Sequence, residues 1–303
     1  MNHQSESRLT ATQIWWLAIR PKTLPVSIAG VITGWSVVLL EGKFSVWPAI
    51  TCLFTAMFLQ IASNLANDVF DYERGTDTSE RVGPMRVTQA KLLTPVQVKT
   101  GLYVSIGLAS LLGLYLTVIA GWPVLVIGIA AIAASILYTG GPYPLGYHGF
   151  GDLFVFLFFG IAAVTGTYYV QAQMVSAAAW WMAIPTGLLV VNLLVVNNLR
   201  DIHTDLKAGK YTLAVRMGER PTRINYILWL TIAYALIPIL AAYQIIPWLA
   251  LLTWLSLPCA ISTLRIVLTK SGRELNPGLA GTSQLALLFS LLFMAAVLIY
   301  RFM

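Results

Sequence analysis

Carboxylate and carboxamide side chains are concentrated in two short stretches of this sequence. The first, NLANDVFDYERGTD at residues 64–77, holds three aspartates and one glutamate of the 12 acidic residues in the chain. The second, NNLRDIHTD at residues 197–205, holds two aspartates and two asparagines. Mg²⁺ prefers oxygen ligands of this kind, and in proteins it usually joins a few carboxylates to the phosphates of a substrate. The two stretches therefore predict a Mg²⁺-dependent site for a phosphorylated substrate.

The spacing within each stretch places several of these side chains on one face of a helix. Residues separated by three, four or seven positions share a face. The sets with this spacing are Asn64, Asp68 and Asp71, the pair Asn67 and Asp71, and, in the second stretch, Asn198, Asp201 and Asp205. Carboxylates on one helix face repel each other, so we expect a cation to compensate them.

Basic residues follow each acidic stretch and could bind the phosphates of such a substrate. They are Arg81 and Arg86 after the first stretch, and Lys207, Lys210 and Arg216 after the second. This order suggests a metal-bound diphosphate held between carboxylates and cations. Metal and cations would stabilise a departing pyrophosphate, which leaves an allylic carbocation for attack by an electron-rich partner. No Ser, Cys or His nucleophile is required.

The rest of the chain is strongly apolar, which indicates where such a site would lie. Hydrophobic residues make up 58% of the 303 residues, and the mean hydropathy is +0.76. A helix needs about 20 residues to cross a hydrocarbon core. Nine apolar stretches come near this length: 24–40, 46–66, 100–120, 122–139, 152–172, 178–199, 224–242, 246–267 and 279–300. We therefore expect an all-α membrane protein with about nine transmembrane helices, and a lipid-tailed substrate.

The basic residues predict the orientation of these helices. With nine spans, 17 of the 19 Lys and Arg residues lie on the side of the amino terminus, and only Lys43 and Arg301 lie opposite. Positive charge collects in the cytoplasmic loops of membrane proteins. The amino terminus and both acidic stretches are thus expected in the cytoplasm, with the carboxyl terminus on the other side. The same bias explains the net charge of +7, so no nucleic-acid partner is expected.

The remaining features favour one domain over residues 1–303. Residues 1–13 form a polar tail without the features of a signal peptide. No set of Cys and His residues has the spacing of a zinc site. The long connections at 67–95 and 200–223 are expected to act as short helical caps over the diphosphate. We infer no obligate protein partner.

Several longer stretches resemble a known family. NDVFDYERGTD and NNLRDIHTD are similar to the two aspartate-rich motifs of the UbiA superfamily of intramembrane prenyltransferases, whose architecture is nine transmembrane helices around a central cavity. IRPKTLP at 19–25, RVGPMR at 81–86 and YTGGPYPLGYHGFGD at 138–152 resemble the branch that prenylates 1,4-dihydroxy-2-naphthoate in menaquinone synthesis. The resemblance covers nearly the whole chain.

The resemblance implies roles for individual residues, because the family's two motifs hold Mg²⁺ and the diphosphate. The implied catalytic residues are Asp68, Asp71, Asp201 and Asp205. The implied metal site comprises Asn67, Asp68, Asp71, Asp77, Asp201 and Asp205. Relatives that prenylate hydroxybenzoate have an aspartate at the position of Gly75, whereas the next acid here is Asp77. This departure supports the naphthoate branch and leaves the role of Asp77 open.

A further set of residues is expected to bind the substrates. It comprises Lys22, Asn64, Arg81, Arg86, Tyr138, Asp152, Asn198, Lys210 and Arg216. For two of them a structural role is an equal or better explanation: Lys22 at the membrane interface, and Asp152 as a helix cap. Of the phenylalanines between 154 and 159, most are expected to face lipid rather than the substrate.

The activity implied by the resemblance is Mg²⁺-dependent transfer of a polyprenyl group from polyprenyl diphosphate to 1,4-dihydroxy-2-naphthoate, with loss of CO₂. The enzyme would lie in the lipid bilayer of a bacterial cytoplasmic membrane. The alternatives are a phytyl donor, or another acceptor such as 4-hydroxybenzoate, homogentisate or chlorophyllide. Intramembrane carboxylates also mark ion-coupled transporters, which form a second class of explanation.

The mutual repulsion of the carboxylates leads to an expectation about stability. Replacement of Asp71 or Asp201 by alanine is expected to abolish turnover. The metal-free protein is expected to be no less stable, because one of several repelling charges is removed.

Overall fold

The structure is a computed structural model that describes residues 9–77 and 81–303, and helices account for most of both ranges. The α-helices are α1 (Ala11–Ile19), α2 (Leu24–Leu40), α3 (Val46–Glu73), α4 (Pro95–Ala120), α5 (Trp122–Leu137), α6 (Gly151–Val155), α7 (Ala163–Ala172), α8 (Ala177–Lys207), α9 (Leu213–Met217), α10 (Glu219–Ala242), α11 (Leu257–Thr269) and α12 (Asn276–Phe302). A π-helical segment, Phe156–Ala162, joins α6 to α7, and the 3₁₀ segments are Pro21–Thr23, Leu145–His148, Trp248–Ser256 and Gly272–Leu275. No β-strand occurs in the described ranges, so the all-α prediction is confirmed.

Eight helical segments of the described chain are long and apolar enough to cross a membrane. They are Ala11–Leu40, Val46–Glu73, Pro95–Ala120, Gly151–Ala172, Ala177–Lys207, Glu219–Ala242, Trp248–Thr269 and Gly272–Phe302. The remaining predicted span, 122–139, corresponds to the shorter apolar helix α5. Its 16 residues extend about 24 Å, less than the ~30 Å of a typical hydrocarbon core.

The first helix begins earlier than the sequence suggested. Thr10 and Gln13 form a capping box, in which Gln13 N donates to Thr10 Oγ1 at 3.3 Å and Thr10 N donates to Gln13 Oε1 at 2.9 Å. Helix α1 therefore starts at Ala11, so residues 11–13 of the predicted tail are helical. Residues 1–8 of that tail lie outside the described residues.

The helices that carry the two acidic stretches belong to different packing groups. Helix α8 packs with α2, α10 and α12. Buried hydroxyls link three of these helices, since Thr33 Oγ1 lies 3.0 Å from Thr186 Oγ1 and donates to Ser290 Oγ at 3.0 Å. Helix α3 packs mainly with α4, and it also contacts α2, α5, α1 and residues near Val87 and Leu93. The first acidic stretch ends α3 and the second ends α8, so each group contributes one stretch.

The first acidic stretch is helical as far as Glu73, and the second is helical throughout. Helix α3 continues past residue 66 to Glu73, and α8 continues past residue 199 to Lys207. Of the two predicted helical caps, the second loop contains the five-residue helix α9. The described part of the first loop, 74–77 and 81–94, contains turns and no helix.

Candidate active site

A cavity of about 410 Å³ lies within the bundle, and both acidic stretches line it. The polar end is formed by these stretches and their basic neighbours. The remainder of the wall consists mainly of apolar side chains and glycines from α2, α3, α4, α5, α7 and the π-helical segment. The cavity thus has a charged end and an apolar remainder, and the apolar part lies between the membrane-spanning helices.

Asp71, on the last turn of α3, is 1% exposed and is contacted by three distant segments. Tyr147 Oη donates to Asp71 Oδ1 at 2.6 Å, Lys210 Nζ lies 3.1 Å from the same oxygen, and Arg86 Nη2 donates to Oδ2 at 2.8 Å. The Lys210 ammonium also lies over the Tyr147 ring, 4.6 Å from its centroid. Burial and the Asp71 carboxylate raise the pKa of Tyr147 above its ordinary value. Its hydroxyl therefore keeps the proton that it donates.

Arg86 connects Asp71 to Asp77. Arg86 Nε lies 3.0 Å from Asp77 Oδ2, and Arg81 Nη1 donates to Asp77 Oδ1 at 2.5 Å. Burial alone would lower the pKa of Arg86, but the carboxylates of Asp71 and Asp77 outweigh it and raise the pKa. Arg86 Nη1 is buried and has no hydrogen-bond partner among the described residues. Arg86 is thus a fixed cation with a donor available to an anionic ligand.

The second acidic stretch is held mainly by its own helix. Arg200 donates to both carboxylate oxygens of the adjacent Asp201, from Nε at 2.8 Å and from Nη2 at 2.5 Å. The same guanidinium also donates to Asn197 Oδ1 at 2.9 Å and to Asn276 Oδ1 at 3.1 Å. The carboxylate of Asp205 lines the cavity and has no ion pair or hydrogen bond within the described part of the chain.

The segment after Asp77 connects the two stretches. Arg273 Nη2 donates to the carbonyl oxygen of Arg81 at 3.3 Å, close to the start of α12. A Cβ atom on Gly83 would lie 2.7 Å from Arg200 Nη2, so a larger residue at this position would displace that guanidinium. The first loop is therefore held against the end of α8, and the first stretch is connected to the second.

The family model described as the UbiA prenyltransferase family matches residues 27–278. The chain belongs to this family. It is 37% identical to the 1,4-dihydroxy-2-naphthoate octaprenyltransferase of Haemophilus influenzae over 296 residues, which are 95% of this chain and 96% of that protein. It is 40% identical to the protein of the same name from Mycobacterium tuberculosis over 278 residues, 91% of this chain and 94% of that protein.

A solved structure supports the fold of this UbiA-family chain. The UbiA homolog from Archaeoglobus fulgidus bound to GPP and Mg²⁺ has a TM-score of 0.67 to it and covers 94% of this chain and 99% of that chain at 15% identity. Membership of a prenyltransferase family also explains the intramembrane carboxylates without an ion-coupled transporter.

Most of the predicted site residues of this UbiA protein meet at the cavity. Those that line it are Asn64, Asn67, Asp71, Asp77, Arg81, Arg86, Tyr138, Asn198, Asp201, Asp205 and Lys210. Four others are not brought to the cavity wall: Lys22, Asp68, Asp152 and Arg216.

Asp68 lies next to Asn67 in sequence but points to a different side of α3. It accepts hydrogen bonds from Val87 N at 3.2 Å and Thr88 N at 3.0 Å, and Arg20 Nη2 lies 3.6 Å from its Oδ2. The spacing predicted that Asp68 shares a helix face with Asn64 and Asp71, but its carboxylate turns away from the cavity that those two residues line. In this structure Asp68 fixes the first loop against α3, and the roles proposed for it as a catalytic residue and a metal ligand have no support in its position.

The other three residues outside the cavity have structural surroundings. Lys22 is exposed, as expected for a residue at the membrane interface. Arg216 is exposed and donates to the backbone oxygens of Tyr211 and His148, at 3.1 and 3.0 Å. Asp152 lies in the first turn of α6, where a negative charge is favourable, but no side chain forms a capping hydrogen bond at this helix.

The polar residues of the cavity wall that sequence reasoning missed include Arg20, Tyr147 and Arg200. Each of these three residues lies inside a stretch that carried the family resemblance. The resemblance therefore identified the stretch as functional, but it did not single out the residue. Sequence reasoning was also wrong about the phenylalanines: Phe154, Phe158 and Phe159 line the cavity.

The donor set of the site fits Mg²⁺. No three acidic, histidine or cysteine side chains within residues 9–77 and 81–303 are grouped closely enough to hold a metal ion by themselves. The cavity wall nevertheless offers hard oxygen donors from both acidic stretches. Such a divided set is suited to an ion that is shared with substrate phosphates.

Proposed function

We propose that this protein transfers a polyprenyl group from polyprenyl diphosphate to 1,4-dihydroxy-2-naphthoate, with loss of CO₂, in a Mg²⁺-dependent reaction of menaquinone biosynthesis. The observation that supports this most is the single cavity whose polar end carries both acidic stretches and whose remainder is apolar. A diphosphate fits the first part and an isoprenoid chain the second. The named relatives, at 37% and 40% identity, support the naphthoate acceptor.

The cations of the cavity would hold the diphosphate. Arg81, Arg86 and Lys210 are paired with Asp71 and Asp77, at 2.5 to 3.1 Å. Phosphate oxygens compete for these cations, and charge-assisted bonds from arginine to phosphate are strong. When the cations turn to the diphosphate, carboxylate oxygens become available.

The residues that would hold Mg²⁺ are the oxygen donors of the cavity wall, namely Asn67, Asp71, Asp77, Asp201 and Asp205. When bound, Mg²⁺ stabilises negative charge on the departing pyrophosphate. Tyr147 keeps Asp71 in position through its 2.6 Å hydrogen bond. Apolar side chains around the remaining cavity exclude water, which would otherwise capture the allylic cation.

The overall reaction balances without a further co-reactant. The carbon–oxygen bond between the isoprenoid and the diphosphate breaks, and its electron pair leaves with pyrophosphate. A ring carbon of the naphthoate forms the new bond to the isoprenoid. The ring loses its carboxylate as CO₂, which gives the demethylmenaquinone in its quinol form.

The acceptor is tested by an assay with purified protein, a polyprenyl diphosphate and Mg²⁺. We expect the prenylated, decarboxylated product from 1,4-dihydroxy-2-naphthoate, and little product from 4-hydroxybenzoate or homogentisate. An Asp201→Asn variant, which keeps the side-chain shape, serves as the inactive control. Efficient prenylation of 4-hydroxybenzoate and none of the naphthoate would assign the enzyme to another acceptor. A parallel assay with phytyl diphosphate identifies the preferred donor.

We also propose that the site faces the cytoplasm of a bacterial cell. Most basic residues lie at the end of the bundle that carries the acidic stretches. A cysteine introduced at Lys207 is expected to resist membrane-impermeant reagents in intact cells. A cysteine at Lys43, at the other end of α2, is expected to react. The reverse pattern would contradict this orientation.

A further inference from the structure

Gln60 is a buried polar residue of α3 for which the proposed reaction has so far given no role. It lies more than one helical turn before the first aspartate of the acidic stretch, is 7% exposed and lines the cavity. Its Oε1 atom is buried and has no hydrogen-bond partner in the described part of the chain. A buried carbonyl oxygen without a donor is costly, so its presence in a ligand cavity points to a donor supplied by the ligand.

The neighbouring hydrogen bonds determine which end of the Gln60 amide is without a partner. Asn64 Nδ2 lies 2.9 Å from the backbone oxygen of Ile19. A carbonyl oxygen only accepts, so the nitrogen of Asn64 must face it, and Asn64 Oδ1 must face Gln60. Gln60 therefore presents its nitrogen to Asn64 Oδ1, at 3.3 Å.

Thr23 gives the same orientation independently. Its hydroxyl donates to the backbone oxygen of Arg20 at 2.9 Å, so Thr23 Oγ1 is left to accept. It accepts from Asn64 Nδ2 at 2.9 Å and from Gln60 Nε2 at 3.3 Å. Both hydrogens of the Gln60 amide group are thereby assigned, and Oε1 is the free atom. The usual ambiguity between the oxygen and the nitrogen of an amide does not arise here.

The chemistry of the proposed reactants selects the partner of this oxygen. An isoprenoid chain has no donor, and an ionised diphosphate has only acceptors. The naphthoate has two hydroxyl groups. Its 1-hydroxyl is adjacent to the carboxylate and donates to it internally, whereas its 4-hydroxyl is remote from the carboxylate and free to donate.

We propose that Gln60 determines acceptor specificity, with its Oε1 accepting a hydrogen bond from the 4-hydroxyl of the naphthoate. This proposal rests on the proposed function. A site built to bind a hydroxyl rejects the analogue that lacks it, because the buried acceptor is then left unpaired. Gln60 would thus select dihydroxynaphthoates over monohydroxy analogues, while the charged end of the cavity selects the diphosphate.

The test compares two ligands in each of three proteins. Dissociation constants are measured under anaerobic conditions for 1,4-dihydroxy-2-naphthoate and for 1-hydroxy-2-naphthoate, which lacks the 4-hydroxyl. The proteins are the wild type, Gln60→Met, which keeps the size of the side chain without its oxygen, and Gln171→Met. The last makes the same substitution at the far end of the bundle, outside the cavity wall.

We expect the wild type and Gln171→Met to bind the dihydroxy ligand about tenfold more tightly, as one hydrogen bond permits. In Gln60→Met the two ligands are expected to bind within about twofold of each other, while the KM for the prenyl diphosphate is unchanged. Both ligands are measured on the same sample, so a partly unfolded preparation does not alter their ratio.

Two results would overturn the proposal. One is an equal preference for the dihydroxy ligand in Gln60→Met and in the wild type. The other is no preference in the wild type, which would mean that only water meets Oε1, and this result needs no variant to fold. Failure of the proposed function is a separate outcome, recognised because the wild type would then form no product from the naphthoate and a prenyl diphosphate.

Discussion

The two acidic stretches line one cavity but are held in place by different means. Asp71, in the first, is bound by Arg86, Tyr147 and Lys210, which come from three segments far along the chain. Asp201, in the second, is bound by its neighbour Arg200 on the same helix. The position of the first carboxylate therefore depends on tertiary structure, whereas that of the second is largely a property of α8.

This difference has a consequence for ligand binding. Asp71 and Asp77 share a neutralising set of cations, so their oxygens become available only when an anion draws those cations away. Asp205 needs no such exchange, because no described residue pairs with its carboxylate. The first stretch is thus coupled to diphosphate binding, whereas in the second stretch Asp205 is open to a cation from the start and Asp201 is bound by Arg200.

The largest expected effects come from Asp71→Ala and Asp201→Ala. Each should reduce turnover by a factor of at least about 10³, because each removes charge that stabilises the leaving group. The two variants should differ in their free energy of unfolding. Asp71→Ala leaves Lys210 without its carboxylate and Arg86 with Asp77 alone, and breaking a buried pair costs about 3–5 kcal/mol. Asp201→Ala should cost less, because Arg200 keeps its bonds to two asparagines.

Turnover at several Mg²⁺ concentrations and thermal unfolding of each variant provide the measurement. These stability predictions differ from the expectation from the sequence that the metal-free protein is no less stable without either aspartate, because Asp71 forms ion pairs with two cations. Equal stability losses in the two variants would contradict the conclusion that Asp71 is held by tertiary contacts and Asp201 mainly by its own helix.

The next largest effect is expected for Arg86→Met. This change removes the cation that joins Asp71 to Asp77 and leaves both carboxylates with weaker compensation. We expect turnover to fall by about 10²–10³-fold, with a higher KM for the prenyl diphosphate. Steady-state kinetics with each substrate varied in turn would check this. A change confined to the KM of the naphthoate would show that Arg86 contacts the acceptor rather than the diphosphate.

A smaller effect is expected for Tyr147→Phe. The ring that lies near Lys210 is kept, but the hydrogen bonds to Asp71 and Thr76, at 2.6 and 3.0 Å, are lost. A hydrogen bond to a charged group is worth about 1.5–3 kcal/mol, so turnover should fall roughly 10- to 100-fold. Tyr143→Phe, on the same loop but exposed, is the matched control and should be near wild type. Equal turnover in the two variants would show that Tyr147 does not position Asp71.

The smallest effect is expected for Glu219→Ala. Glu219 lies at the start of α10 and pairs with His203 and Arg223, both at 3.3 Å. Its side chain is 38% exposed, and pairs of this kind contribute little. We expect turnover within about twofold of wild type and a stability change within about 0.5 kcal/mol. A large loss of turnover would extend the site beyond the cavity described above.

The sequence predicted the parts of the structure that depend on local pattern. Apolar runs of sufficient length gave the helices, and the spacing of Asn67 and Asp71 gave their shared face toward the cavity. Which side of α3 faces the cavity is a tertiary property, so the sequence could not show that Asp68 turns toward Val87 and Thr88.

Residues on loops were the least predictable part of the site. Tyr147 contacts Asp71 although the two residues are 76 positions apart in the sequence. Sequence periodicity cannot predict a contact between residues so far apart. Arg216 carries the right charge in the right segment, yet its guanidinium is used by backbone oxygens of the loop. Charge and spacing thus identify the region that binds a diphosphate, but the path of each loop decides which cations reach it.

The most direct test of the account is the affinity for Mg²⁺ with and without a prenyl diphosphate analogue that cannot ionise. The described carboxylates are not grouped to hold a metal ion alone, and those of the first stretch are paired with cations. We therefore predict that the analogue raises Mg²⁺ affinity at least about tenfold, and that Mg²⁺ raises affinity for the analogue by the same factor. Mg²⁺ binding of equal strength in the presence and absence of the analogue would contradict a metal shared between the two stretches and the diphosphate.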